Sequence, residues 1–359
     1  MSKQGRVMIM AGGTGGHVFP GLAVAERLRG QGVTVSWLGT RRGIEAELVP
    51  ARGYELHYLD IEGVRGRGLS ALIKAPVLLL RSIFQARARM KSFKPDVVLG
   101  MGGFASGPGA VAARLLGIPL VIHEQNSVAG TTNRIAAKMA KRVMQGFPDT
   151  LAKGEWCGNP VRPEITTLPA PYERFPQRSG AVRLLILGGS RGALAINQLL
   201  PEAIAMMDEK QRPVILHQAG AAHSEKTKEL YQQAGVSAEV VPFIEKMDAA
   251  YRWADFVVCR AGALTIAELT SVGIGSLLIP FPFAIDDHQT ANGKLLVEQG
   301  AALMFQQKDL SAERLASELA AICSDGDHRM GMAIRARRLA KDDAAEQVAQ
   351  VCMEVCGGR

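Results

Sequence analysis

Residues 8–21, MIMAGGTGGHVFPG, set the reading of the whole chain. Val7, Met8, Ile9 and Met10 run straight into Gly12, Gly13, Thr14, Gly15 and Gly16, and an amphipathic run follows over 22–28. That order predicts a buried strand, a glycine turn and a helix. Glycine, lacking a Cβ, lets backbone N–H groups approach a ligand closely. A helix start adds unpaired N–H groups and the positive end of a dipole. Together these make an anion site, most often for phosphate. A turn that only joins strand to helix has the same pattern, so the stretch takes its meaning from the rest of the chain.

Strand-like segments recur at 33–38, at 97–99 before GMGGFASGPG, at 120–122 before HEQNS, and at 142–145, short and near a sheet edge. Helical segments alternate with them, which predicts a parallel sheet covered on both faces. Pro160, Pro163, Pro169, Pro171 and Pro176 then break the pattern. Proline is excluded from helix interiors and central strands, so 163–181 is expected to be a linker. The opening theme returns beyond it: apolar 183–187, Gly188-Gly189-Ser190, and a helix from near Ala193. This echo predicts two similar α/β domains, 1–162 and 182–340. Strands of the second are expected at 214–217, 240–243, 256–259 and 276–280, and 341–359 is a closing helix. Ligands of open α/β sheets bind at the carboxyl ends of strands. The polar clusters all follow strands: Thr14 and His17, Gly102 and Gly103, His123, Glu124 and Asn126, Ser190 and Arg191, 260–268, and 287–292.

At 359 residues the chain suits two domains, and 47% hydrophobic with 21% charged residues is globular. Aromatics are 5%, which argues against a base-stacking surface and so against nucleic acid. No apolar run reaches the ~18–20 residues of a spanning helix, and the N-terminal residues carry no signal-peptide pattern. The five cysteines are scattered and form no CxxC pair, which indicates free thiols rather than a disulfide frame or a zinc site. The net charge of +8 is uneven: residues 1–162 hold 22 Lys and Arg against 10 Asp and Glu, and the remainder 20 against 24. Such asymmetry points to an anionic surface met by the first half alone.

The identity of the phosphate ligand narrows by exclusion. Counted from Gly13, the dinucleotide fingerprint puts Val18 where Gly or Ala is needed, and the second strand ends Leu38-Gly39-Thr40 without an acidic residue for the adenosine ribose. No Gly-Lys-Ser/Thr follows to make a P-loop. The most informative stretch is 257–268, VVCRAGALTIAE: strand, small-residue loop, helix start. N–H groups of Leu264 and Thr265 would face a diphosphate. Glu268, one turn further in, could accept from vicinal ribose hydroxyls; a Glu that merely complements the helix dipole fits equally. Asp325-Gly326-Asp327 has the spacing of a metal-binding pair but precedes a helical segment, so capping is the reading taken.

AGGTGGHVFPGLAVA, GMGGFASGP, HEQNSVAG, GNPVR, LGGSRGA, CRAGALTIAE and DDHQTANG occur in this order between Arg6 and Asn292. Together they resemble the MurG family, the UDP-N-acetylglucosamine:undecaprenyl-diphospho-muramoylpentapeptide N-acetylglucosaminyltransferases of bacterial peptidoglycan synthesis. The resemblance implies the GT-B architecture: two Rossmann-like domains whose parallel sheets face an interdomain cleft. It implies UDP-N-acetylglucosamine and lipid I as substrates, the cytoplasmic face of the inner membrane as location, peripheral attachment, and neither cofactor nor metal. By similarity Thr14, Gly15, Gly16, Asn126, Arg162, Ser190, Ile244, Ala263, Leu264, Thr265, Ile266, Ala267, Glu268 and Gln289 would contact the sugar nucleotide. Ile244 would offer backbone groups to uracil; Ser190 and the helix start would face the diphosphate; Asn126 and Gln289 would read the sugar; Arg162 would reach phosphate or base. The turns at Gly15 and Gly102/Gly103 resemble sites proposed for the acceptor pyrophosphate. Ser127 stands where many relatives have Gly, and His288 where some have Gln.

Inverting transfer needs a base for the acceptor 4-hydroxyl and stabilisation of departing UDP. Histidine titrates near neutrality, so His17 is the base candidate, with His123 and Glu124 as rivals. A histidine that only hydrogen-bonds its loop is the plain alternative. Leu72, Ile73, Val77, Leu78, Leu79, Leu80, Ile83 and Phe84 lie among Lys74, Arg81, Arg87, Arg89 and Lys91. That pattern describes a segment lying on an anionic bilayer, or a core-facing helix with a solvated basic face. An epimerase of the same sugar nucleotide and a non-catalytic sensor of it are the rival functions.

Overall fold

The computed structural model of the chain describes residues 5–61, 68–175, 178–189 and 192–357, and for 68–74 and Ile285 the backbone alone. The chain divides into two compact units, Met1–Arg162 with Lys341–Arg359, and Pro163–Ala340.

The first unit is built on strands β1 (Arg6–Ala11), β2 (Thr34–Gly39), β3 (Glu55–Tyr58), β4 (Val97–Gly102), β5 (Leu120–Glu124), β6 (Arg142–Gln145) and β7 (Glu155–Trp156). Their order in the sheet is β3-β2-β1-β4-β5-β6-β7, all parallel. The chain steps outward from β1 to β3, then returns to the other side of β1, so the switch point lies between β1 and β4. Alternate residues of β1 serve opposite faces. Val7 and Ile9 enter one core with Trp37, Leu99 and Val121, while Met8 and Met10 enter another with Leu38, Val98 and Ile122. Register slips at the functional end: Met10 pairs with Gly100, but Ala11 pairs with Gly102.

The helix after β1, Gly15–Gly30, differs from the amphipathic run expected over 22–28. Leu22, Ala23, Val24, Ala25 and Leu28 are all buried, because helix Ala344–Gly357 packs on it with Val348, Cys352 and Val355. Each such aliphatic burial is worth about 1.5–3 kcal/mol, which attaches the closing helix firmly to the first unit. Helix Gly68–Phe93 turns Ala86, Met90 and Phe93 inward, while Val77, Leu78, Leu79, Leu80 and Phe84 are exposed. The side chains of Leu72, Ile73 and Lys74 lie outside the described residues.

The second unit repeats the plan with β8 (Arg183–Leu187), β9 (Val214–Gln218), β10 (Glu239–Val241), β11 (Phe256–Cys259), β12 (Ser276–Leu278) and β13 (Ala302–Met304). The order β10-β9-β8-β11-β12-β13 is again parallel, with the switch point between β8 and β11. Residues 163–181, read as a linker, contribute helices Pro163–Thr166 and Pro171–Arg174 to this unit. Each begins on a proline, whose missing N–H costs nothing at that position. Arg174 is buried and donates to the carbonyls of Tyr251 at 3.3 Å, Val272 at 2.8 Å and Gly273 at 2.7 Å. Burial lowers its guanidinium to about 10. Pro176 lies outside the described residues. Asp325 caps helix Gly326–Arg338, its Oδ1 accepting from the His328 N–H at 2.8 Å.

Candidate active site

At the first switch point two glycine turns pack face to face. Gly103, with φ at +83°, lies so close to the first turn that a Cβ there would stand 2.3 Å from the Gly12 carbonyl oxygen. A Cβ on Gly102 (φ +99°) would stand 2.8 Å from Cδ2 of His17, so the imidazole lies directly across that glycine. Ser106, buried at the start of the helix after β4, has its hydroxyl 2.8 Å from the Met10 carbonyl and 2.7 Å from that of Gly102. It ties the ends of β1 and β4 together. Glu45 holds the first turn from below. Its wholly buried carboxylate accepts from the Gly13 N–H at 2.9 Å and from the Thr40 N–H and hydroxyl at 2.9 and 2.7 Å. Gly12, Gly39 and Gly43 leave it room; any Cβ there would collide with it. The Gly13 N–H is therefore spent inside the protein.

His17 is half-buried in the first turn of Gly15–Gly30, with Nδ1 3.3 Å from the Thr14 hydroxyl. Arg162 lies over the Phe19 ring, 5.4 Å from its centroid, and Phe19 packs against Gly15. The end of β5 completes the cluster. Glu124 is buried and accepts from the N–H groups of Asn126 at 2.9 Å and Gly130 at 3.1 Å, and from Asn133 Nδ2 at 2.9 Å. Asn133 in turn borders Gly102 beside His17. Asn126, through Glu124 and Asn133, and Arg162, through Phe19, thus connect to the turns that hold Gly15 and His17.

The rival bases do not suit proton transfer. His123 is fully buried, and its Nε2–H donates to the Gly158 carbonyl at 2.8 Å while Gln125 Nε2 donates to Nδ1 at 3.0 Å. Burial lowers it to about 4. Glu124 is committed to its own loop. His17 keeps the role of candidate.

At the second switch point β11 ends at Cys259, and helix Ala263–Val272 starts after Gly262. The first-turn N–H groups of Leu264 and Thr265 have no intrahelical acceptor by position. Ile266 donates its N–H to the Gly262 carbonyl at 2.9 Å, and its side chain is buried in the core. Glu268 is 7% exposed, and Oε2 accepts from the Tyr251 hydroxyl at 3.0 Å. Asn292, fully buried on helix His288–Glu298, donates from Nδ2 to the Ala261 carbonyl at 3.2 Å. That bond joins the helix carrying Gln289 to the loop before Ala263. Gln289 Oε1 accepts from the Phe281 N–H at 2.9 Å. Asp286 and Asp287 just before it hold φ of +55° and +48°, a conformation costly for residues with a Cβ. Ile244 is buried between β10 and helix Met247–Trp253. Ser190 lies outside the described residues.

Residues 7–145 match the glycosyltransferase family 28 N-terminal domain, and residues 183–348 match the family's C-terminal domain. The chain belongs to glycosyltransferase family 28. Within family 28 it belongs to the MurG family. It is 52% identical over 356 residues to a Nitrosococcus oceani protein named UDP-N-acetylglucosamine--N-acetylmuramyl-(pentapeptide) pyrophosphoryl-undecaprenol N-acetylglucosamine transferase, covering 98% of this chain and 99% of that one. An Alkalilimnicola ehrlichii protein of the same name is 53% identical, with 97% and 98% covered. Among solved structures, Acinetobacter baumannii MurG superposes with a TM-score of 0.84 at 41% identity, covering 98% of this chain and 99% of that one. The calicheamicin glycosyltransferase CalG4, at 14% identity and a TM-score of 0.68, shares the fold alone.

Sequence reasoning missed residues that hold the candidate site residues in place. Glu45 follows Gly43 at a helix start, where an acidic residue reads as a dipole partner. Its glycine neighbours converge only in three dimensions. Tyr251 stands in a helix with no motif. Asn292 lies both in DDHQTANG and in the polar cluster 287–292, the available signals for it.

Proposed function

We infer that this chain transfers N-acetylglucosamine from UDP-N-acetylglucosamine to undecaprenyl-diphospho-muramoyl-pentapeptide, converting lipid I to lipid II. It is a glycosyltransferase. The carrying observation is the second switch point: a helix start able to hold a diphosphate, with a buried carboxylate one turn in to accept from a ribose. In this reading the acceptor 4-hydroxyl gives its proton to His17, and its oxygen attacks the anomeric carbon opposite UDP. A new β-glycosidic bond forms as the sugar–phosphate bond breaks. N–H groups of Leu264 and Thr265 and the helix dipole stabilise the leaving diphosphate. Asn126 and Gln289 read the sugar, and the Ile244 segment reads the base.

The test is labelled UDP-N-acetylglucosamine with a soluble lipid I analogue. A disaccharide product is expected; an epimerised sugar, or binding without turnover, would contradict the reading.

The reading also carries the enzyme to the cytoplasmic membrane face. Among the described residues no helix is long and apolar enough to cross a membrane. Support comes from Gly68–Phe93, where exposed Val77, Leu79, Leu80 and Phe84 neighbour Arg81, Arg87, Arg89 and Lys91. Apolar side chains with a basic rim bind anionic bilayers from one side. Vesicle flotation should fall with Leu79→Glu and with removal of anionic lipid; binding that survives both would contradict attachment here.

A further inference from the structure

We propose that Tyr251 is a positioning residue that sets selectivity for a ribose over a deoxyribose in the sugar nucleotide, by fixing the carboxylate of Glu268. The proposal rests on the reading of Glu268 given above. Tyr251 is wholly buried on helix Met247–Trp253, and its hydroxyl donates to Oε2 of Glu268 at 3.0 Å. A carboxylate taken out of water needs partners, and each one it gains also fixes where its remaining lone pairs point. Glutamate has three side-chain torsions, so a donor at one oxygen is the direct way to hold the plane of the group.

The hydroxyl itself is held at a fixed distance from that carboxylate. One guanidinium, that of buried Arg174, binds the backbone carbonyl of Tyr251 and also those of Val272 and Gly273, at the end of the helix that carries Glu268. The same cation thus anchors the helix bearing the phenol and the helix bearing the acid. Helix Met247–Trp253 begins three residues after Ile244. Tyr251 therefore also links the segment assigned to the base with the side chain assigned to the ribose.

A phenol present only to fill the core would be replaced by phenylalanine with no change in which donor is preferred. A positioning phenol would not. Tyr251→Phe keeps the ring and removes one hydrogen-bond donor. The experiment compares kcat and KM for UDP-N-acetylglucosamine and its 2′-deoxyribose analogue in the full-length wild type, Tyr251→Phe, Glu268→Gln and the double variant. Tyr251→Phe should raise KM for the ribose donor about tenfold, in line with loss of one hydrogen bond to a charged group. The kcat should hold, and KM for the deoxy donor, which offers Glu268 one of the two hydroxyls, should rise less, so the preference narrows. In the Glu268→Gln background Tyr251→Phe should add no further loss of preference. Equal loss for both donors, or an unchanged preference, would overturn the role of Tyr251 while leaving that of Glu268 intact. If Glu268→Gln itself left the preference unchanged, the ribose assignment would fail and the proposal with it.

Discussion

In the first unit the turns after β1 and β4 meet glycine against glycine, with Gly103 closing on the Gly12 carbonyl and His17 lying across Gly102. In the second unit the corresponding place is a helix start, with Glu268 buried one turn in and tied to Tyr251. The topology is the same, strand order reversing beside the first strand of each sheet. The chemistry differs. The first switch point offers a titratable imidazole above backbone packed too tightly for any side chain, which suits the proton step and the approach of an acceptor. The second offers backbone N–H groups and a fixed carboxylate, which suits holding a nucleotide diphosphate. In the proposed reading the repeated fold supplies two ligand positions, and the residues after its strands decide which half of the reaction each serves.

The sharpest break in that comparison is His17→Ala. Loss of a general base costs about 10²–10⁴-fold, and the loss should fall on kcat with the KM for UDP-N-acetylglucosamine nearly unchanged. Steady-state kinetics at saturating acceptor analogue check it; an unchanged kcat removes His17 from the chemistry. Next come the glycines. Gly103→Ala meets both a left-handed backbone and the Gly12 carbonyl, so it should cost more than the ~1–3 kcal/mol of such strain alone, with activity falling in step. Gly262 is the contrast: its added Cβ would meet the Thr265 hydroxyl at an ordinary 3.5 Å, so Gly262→Ala should change stability by only about 1 kcal/mol. Equal damage from both, read by denaturant midpoints, would erase the distinction.

A smaller effect sharpens what the two units share. Each buries a neutral histidine at its sheet. His123 is lowered to about 4, and His217, between Tyr231 and Asn197, is lowered by burial to about 3. The unfolded chain binds those protons near 6.5, so it takes up protons first as pH falls. Stability from these groups is full above pH 6.5 and is lost steadily from there down to about pH 4 for His123 and pH 3 for His217. Denaturant midpoints between pH 7 and 4.5 should fall for the wild type. They should fall less for His123→Gln, whose amide titrates nowhere in that window; equal slopes would contradict neutral burial.

Much of this was legible in the chain. The glycine turns at Gly12 and Gly102, the echo at Gly188 and the helix start at Ala263 follow apolar runs, and local pattern is enough to find them. β3, β7 and β13 escaped because they are short and lie at or near sheet edges, where ELHY, EW and ALM carry no period. The proline-rich segment hid Arg174, since proline marks what a backbone cannot do and says nothing of where it docks. Glu45 and Tyr251 escaped for a deeper reason. Their work is done through partners 32 and 17 residues away in sequence, and no local pattern records such a pairing. Ile266 lies in the 257–268 stretch with its side chain in the core, a burial that the small-residue loop before it does not announce.

The division of labour is tested most directly by titrating UDP-N-acetylglucosamine into the wild type, His17→Ala and Glu268→Ala by calorimetry. The account expects Kd for His17→Ala to match the wild type and Kd for Glu268→Ala to rise at least about tenfold, the loss of hydrogen bonds to a charged group. A Kd unchanged by Glu268→Ala, or weakened chiefly by His17→Ala, would contradict it.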